Sequence, residues 1–306
     1  GYKPDADHGR SYSRDLTTKL PERDGKPAYL ASEASRYIRA HRDEPFALYV
    51  SMLEPHMPFY GPRDDQYAPE DVPLPPNFDA VPQEGDPLRE RLHYLRYHTH
   101  GFERYDLTTE MGWRQITAAY WGLCSLIDTH MGRILDTLDA CDLMDDTIIV
   151  FTSDHGDMMG SHQLVGKGTM YQESVRVPLL VRLPGQREQR RITGPFSQID
   201  LVPTLLDLMD APVPQGLHGT SRRAHLETGA ALTDDVFIEW NIPATRTHTY
   251  SDAMLAAAGS PQRAEAALND QQRTIITADG WRYTHSTIGD HALHNLREDP
   301  EERRNL

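Results

Sequence analysis

Thr147-Ile-Ile-Val-Phe-Thr-Ser-Asp-His-Gly-Asp157 is the stretch on which the fold turns. Its first six residues are all β-branched or aromatic. That composition predicts a strand covered on both faces and paired in parallel. The residues that follow are polar, and Gly156 lets the backbone turn sharply after them. Just upstream, Ile116, Tyr120, Leu123, Ile127, Met131, Ile134 and Leu138 recur at steps of three and four. This single apolar stripe predicts a core-packing helix from Glu110 to Ala140. Helix, short loop at Asp145-Asp146 and buried strand make the repeating unit of an α/β sheet.

Working outward, Pro27 opens a helix over Ala28–His41. Phe46–Met52 is a short apolar run bounded by breakers, a buried-strand signal. Nine prolines between Glu54 and Glu90 forbid long regular structure there and predict an extended surface excursion. Residues 91–106 are locally ambiguous. Downstream, a strand is expected at Val177–Arg182 and a helix at Asp200–Met209 with Asp200 as its N-cap. After Leu226 the character changes. Val236–Glu239 reads as a strand, Ala253–Leu268 as an inserted helix. Arg273–Thr277 and Trp281–His285 flank Asp279-Gly280, the signal of a type I′ hairpin. The expected architecture is α/β: a mostly parallel or mixed central sheet flanked by helices in residues 1–230, and a smaller antiparallel C-terminal subdomain in 231–306.

The chain has 306 residues, with 46 acidic against 31 basic side chains and a net charge of −15. That balance argues against nucleic acid and against an anionic membrane surface as partners. No apolar run approaches the roughly 20 residues of a membrane span. The two cysteines, Cys124 and Cys141, form no Cys-x-x-Cys pair and read as small core or surface residues. Histidine is enriched, with 15 residues, which favours metal or acid–base chemistry.

Three constellations carry that chemistry. Asp154 and His155 follow the strand Thr147–Thr152, and in open α/β sheets ligands bind beyond the carboxyl ends of strands. They offer one carboxylate oxygen and one imidazole nitrogen to a divalent ion. Capping by Asp154 and Asp157 beside a surface histidine is an equal reading. Lys167 stands between Gly166 and Gly168, where backbone can approach a sulfate or phosphate closely. The glycine spacing is not that of a Walker A loop. His56, held between Pro55 and Pro58, lies just past the strand Phe46–Met52 and so at the same rim. It could donate to a leaving oxygen or bind an anion. Glu173 and Arg176 read as a structural ion pair, and Asp64-Asp65 as a turn.

Phe151-Thr-Ser-Asp-His-Gly-Asp-Met-Met-Gly160, followed by Gly166-Lys-Gly-Thr-Met-Tyr-Gln-Glu-Ser-Val-Arg-Val-Pro-Leu-Leu-Val-Arg-Leu-Pro-Gly185, resembles the sulfatases of the alkaline phosphatase superfamily. Pro55-His-Met-Pro58, Asp200-Leu-Val-Pro-Thr-Leu-Leu206 and the ending Asp299-Pro-Glu-Glu-Arg-Arg-Asn-Leu306 match further segments of that family in order. The resemblance implies that Asp154 and His155 are two ligands of an active-site divalent cation, most often calcium. Lys167 would contact the sulfate, and His56 the sulfate or the leaving-group oxygen. His162 would line the pocket. The implied substrate is a sulfated small molecule or glycan, and the implied location is periplasmic, extracellular or lysosomal.

The departures are as informative. Family members carry Cys/Ser-x-Pro/Ala-x-Arg, whose cysteine becomes formylglycine. Neither Cys124 nor Cys141 fits it, and no serine form is expected. The Asp-Asp strand and the Gly-Lys-Trp-His-type segment are also missing. The expectation is an N-terminally truncated sulfatase, inactive alone, with formylglycine only in the missing part. The alternatives are a phosphodiesterase or phosphonate monoester hydrolase, or a non-catalytic anion- or glycan-binding relic. Residues 54–90 and 240–270 are the expected specificity regions.

Overall fold

The computed structural model describes residues 21–102, 104–241 and 249–306, so residues 242–248 of the second specificity region lie outside the described residues. Helix α1 spans Lys26–Ala40 with Pro27 in its first turn. It buries Ala28, Ala31, Ala34 and Ile38, a face of mostly small residues that lets another helix approach closely. That partner is α3, Glu110–Ala140, joined to α1 by the buried hydroxyl pair Thr137–Ser35 at 2.9 Å. Between them in sequence, α2 spans Leu88–His100 and resolves the ambiguous segment as helix. Helix α3 is where the sequence places it, but of the predicted stripe only Ile116, Leu123 and Leu138 are buried, with Leu126, His130 and Thr137 buried in its second half; Thr109 caps it by accepting from the Gly112 amide at 3.1 Å. Burial is greatest in the first half of α3, where Trp113, Ile116 and Leu123 meet Phe59, Leu107 and Val165.

The proline-rich excursion is therefore not only a surface loop. Phe59 and Val72 are fully buried, and Phe78 meets the Trp113 ring edge-on at 5.8 Å. Prolines remove backbone donors without preventing side chains from entering a core.

Strand β1, Ile149–Thr152, pairs antiparallel with β2, Leu179–Arg182, in the register Phe151↔Leu180. The fold is α/β. The expected parallel neighbour of β1 is not found among the described residues, and neither strand is fully buried. Phe46–Met52 is likewise not a paired strand, and Tyr49 within it is 89% exposed. An apolar run signals that a segment needs cover; it does not specify which edge supplies it.

Between the strands lies the short helix α4, Gln172–Val175. Helix α5, Leu201–Leu208, follows β2. Asp200 does not cap α5 with its side chain. Its carboxylate instead accepts from the Thr220 amide at 2.8 Å and pairs with Arg222 at 2.7 Å. This stronger charged partner decides its orientation. Helix α6 spans Arg223–Thr228.

The C-terminal strands β3 (Val236–Trp240), β4 (Gln272–Ile276), β5 (Trp281–Ser286) and β6 (Ala292–Asn295) form an antiparallel sheet in sequence order. The β4–β5 hairpin is where the sequence places it, but its turn differs. Only Gly280 is left-handed, at φ +92°. Its amide bonds to the Thr277 carbonyl at 2.9 Å. One left-handed glycine closing an ordinary turn replaces the two that type I′ requires. The expected single helix over Ala253–Leu268 is two, α7 (Asp252–Ala258) and α8 (Pro261–Leu268), broken at Gly259-Ser260. Their alanines pack on Leu88 and Leu92 of α2. Among the described residues no helix is long and apolar enough to cross a membrane.

The inner face of the C-terminal sheet is polar. Thr274 and Thr284 share a hydrogen bond at 2.9 Å across the strands. Arg282 and Glu302 form a buried ion pair at 2.6 Å, and the Arg282 guanidinium lies 2.8 Å from His294 Nδ1. Burial pushes the Glu302 carboxyl up to about 7, and burial with the nearby Arg282 charge pushes His294 down to about 3.

Candidate functional site

At the end of β1 the chain turns through Ser153–Asp157. The Gly156 amide donates to the Ser174 carbonyl at 2.8 Å, docking the turn on α4. A side chain at 156 would place its Cβ 1.9 Å from the Glu173 carbonyl oxygen, so the contact needs glycine. The turn presents Asp154 to solvent, its side chain 85% exposed, and leaves His155 half-buried. His155 Nδ1 lies 2.8 Å from the Gly156 carbonyl. A carbonyl only accepts, so Nδ1 carries the proton and Nε2 presents a lone pair. The Lys167 ammonium donates to that nitrogen at 2.5 Å, and Asp154 Oδ2 lies 3.5 Å from it.

Lys167 is presented with care. From Leu164 to Tyr171 it is the one exposed residue. The rest of this strap is buried and tied down. Tyr97 donates to the Val165 carbonyl at 2.9 Å. Asp157 Oδ1 accepts from the amides of Gly166 and Met159 at 2.9 and 3.1 Å, joining strap and turn. Burial raises the Asp157 carboxyl, against the pull of these amides and of His155 and His56.

His56 reaches the same place from the proline-rich segment. Its Nδ1 donates to the Met57 carbonyl at 2.7 Å, which again leaves Nε2 as the working nitrogen. The His56 and His155 rings are 6.4 Å apart, edge to face. The structure thus brings together His56, Asp154, His155 and Lys167, from three separate stretches of sequence. An open cleft of about 1170 Å³ runs past Asp154, His155 and Lys167 toward Trp240.

His162 requires a correction: it does not line this site. It is 1% exposed, with Nδ1 2.7 Å from the Ala80 carbonyl and Nε2 3.1 Å from Asn77. Its ring stacks on Tyr171 at 4.1 Å. Both nitrogens are consumed by structure. Glu173 also departs from expectation. Its partner is Asn77 at 2.8 Å rather than Arg176. The Asp64 turn is as read, accepting from the Gly61 amide at 2.6 Å.

A serine form of the nucleophile pattern does occur: Ser32-Glu-Ala-Ser-Arg36. Its context removes it from the chemistry. Ser32 sits inside α1, its hydroxyl donating to the Ala28 carbonyl at 2.7 Å and accepting from Arg133 at 3.1 Å. Burial pushes the Cys124 thiol up to about 11, far from a reactive thiolate.

The Lys167 ammonium, and the His56 imidazole once Nε2 also carries a proton, suit a tetrahedral anion, while His155 offers Nε2 as a lone pair. For a divalent cation the fit is partial. Asp154 and His155 offer two adjacent donors, and among the described residues no group of three or more possible ligands converges. Divalent ions of this kind take more ligands than two. Asp157 is the local residue that sequence reading undervalued. Its signal was the second carboxylate of Asp154-His-Gly-Asp157, here spent on holding the loop.

A family model described as Sulfatase matches residues 9–211. A multifunctional alkaline phosphatase superfamily protein of Trinickia caryophylli, PehA, is 29% identical over 99% of this chain and 59% of that protein. A choline-sulfatase of Rhizobium meliloti is 29% identical over 94% of this chain and 52% of that protein. The chain thus spans little more than half the length of these curated relatives. Among solved structures, a phosphonate monoester hydrolase of Agrobacterium radiobacter superposes with a TM-score of 0.68 at 27% identity, covering 94% of this chain and 57% of that one.

Proposed function

This chain belongs to the sulfatase family, and from that premise we propose that His56 and Lys167 form the anion-holding part of a site that hydrolyses sulfate esters. The observation that carries the reading is the convergence of the Lys167 ammonium and the Nδ1-anchored His56 imidazole beside the Asp154–His155 pair. Lys167 offsets sulfate charge within a chain of net charge −15. His56, when doubly protonated, holds a proton on Nε2. It gives that proton to the ester oxygen as the sulfur–oxygen bond breaks, releasing the alcohol. The expected substrate is a sulfated small molecule or glycan.

Sulfatases are metal-dependent in general. Asp154 and His155 are two of the donors for such an ion, calcium being the one expected, and further donors would have to join them. When bound, the ion supplies positive charge beside the sulfate oxygens. The attacking group would come from residues outside this sequence, because neither cysteine nor Ser32 is suited to the role. The 306 residues alone are therefore expected to show no turnover.

The likeness to a phosphonate monoester hydrolase favours a second reading, in which the same cluster holds a phosphonate or phosphate diester. Steady-state rates of the protein that carries this chain, on one aryl group esterified as sulfate, phosphonate monoester and phosphate diester, separate the two. The sulfatase reading expects the sulfate to have the highest kcat/KM, with loss on chelation and recovery on adding calcium. A higher kcat/KM on either phosphorus ester selects the second reading.

A further inference from the structure

The Lys167 strap is held from behind by two buried arginines that belong to distant parts of the chain. Arg89 of α2 is 3% exposed. It donates to the Gly168 carbonyl at 2.7 Å and to the Leu268 carbonyl at 2.8 Å. Its guanidinium lies over the Trp240 ring at 5.4 Å. Arg282 of β5 is 2% exposed. It donates to the Met170 carbonyl and lies over the Tyr171 ring at 5.3 Å. Its ion-pair partner Glu302 closes the loop, since Glu302 Oε2 accepts from the Gln172 amide at 2.7 Å. Carbonyls 168 and 170 and amide 172 are thus all bound by buried charged side chains, while Lys167 alone points outward.

Burying two guanidiniums is costly unless their hydrogen bonds are met. Here several of those bonds go to one short backbone segment next to the exposed ammonium. A backbone carbonyl bound by a rigid, forked donor is fixed in position more tightly than by a lysine or a water. We propose that Arg89 and the Arg282–Glu302 pair are positioning residues for Lys167, so that the C-terminal sheet and the last residues of the chain set the geometry of the anion site. This inference rests on the reading of Lys167 as the anion-binding cation. The three groups touch neither substrate nor reacting atoms.

The test uses the protein that carries this chain, with lysines reductively ¹³C-dimethylated so that the Lys167 signal reports its surroundings. Inorganic sulfate is the ligand. In the double variant Arg282→Met/Glu302→Leu, a buried ion pair gives way to an apolar pair of similar size, a change that folds tolerate well. Its sulfate Kd is expected to rise about 10-fold or more, which is the loss of roughly one good contact, and its Lys167 signal to move in the sulfate-free protein. Arg89→Lys keeps the charge but not the fork; it is expected to raise the Kd several-fold with a smaller movement of the same signal. If the double variant fails to fold, Arg89→Lys decides. An unmoved Lys167 signal with a sulfate Kd within twofold of the parent overturns the proposal. Lys167→Ala separates the two claims. If it binds sulfate as the parent does, the anion-site reading fails, while the Lys167 signal in the arginine variants still reports on positioning.

Discussion

Lys167→Ala, in the protein that carries this chain, is expected to lower kcat/KM for a sulfate ester by about 10²–10³, on the order of 3–4 kcal/mol of transition-state stabilisation. The size follows from the way the ammonium is presented. It is the one exposed group on a buried strap, and its neighbours are fixed by Asp157, Arg89 and Arg282. A preorganised cation of this kind costs no reorganisation as charge develops. Without an anion the ammonium rests on His155 Nε2 at 2.5 Å, so the substrate displaces an existing contact rather than ordering a free side chain. The charge is needed in both ground and transition states, so KM should rise and kcat fall together. Steady-state kinetics on one aryl sulfate, with thermal unfolding as a control for folding, gives the answer. A loss under threefold in a normally folded variant would mean that another group carries the charge.

Trp113→Ala is expected to cost about 3–5 kcal/mol of stability, the usual range for removing a large buried aromatic. Trp113 is 1% exposed and donates its indole N–H to the Leu107 carbonyl at 2.9 Å. It packs against Phe59 and Phe78 from the proline-rich segment and stands close to Gly160. Its loss opens a cavity where α3, the His56-bearing segment and the loop after Asp157 meet. Denaturant unfolding monitored by fluorescence of the other tryptophans should show the midpoint fall. Trp113→Phe should lose much less, because it keeps most of the packing. Equal losses for the two variants would place the stabilisation in the indole hydrogen bond instead.

What could be read from the sequence was what is local. Helix α3, the β4–β5 hairpin and the strand before Asp154 each carry their period and punctuation within a few residues. The site cluster was legible for a related reason: Asp154, His155 and Lys167 lie close together in sequence, and His56 follows an apolar run, although that run is not the sheet strand expected there. What failed was non-local. Nothing inside Phe46–Met52 says that it lies unpaired among the described residues. His162 looks like a loop histidine between glycine-rich turns, but Asn77 and Ala80 take both its nitrogens. Those partners are more than 80 positions away. Arg282 reads as one polar residue in an alternating strand. Its role depends on an inner sheet face that is polar, against the usual pattern of apolar-in strands. Ser32 shows the opposite error: its pentapeptide satisfies the nucleophile pattern, and only its place inside α1 shows that the match has no chemistry behind it.

The central claim is that His56 Nε2 and Lys167 Nζ hold one anion, which draws Lys167 off His155 Nε2. A titration of the protein that carries this chain with inorganic sulfate, followed by NMR at these three side-chain nitrogens, tests it most directly. All three signals should move along one saturation curve with a single Kd, while the buried His162 stays still. Independent curves for the three residues, or a shift at His162 that matches Lys167, would contradict a shared site.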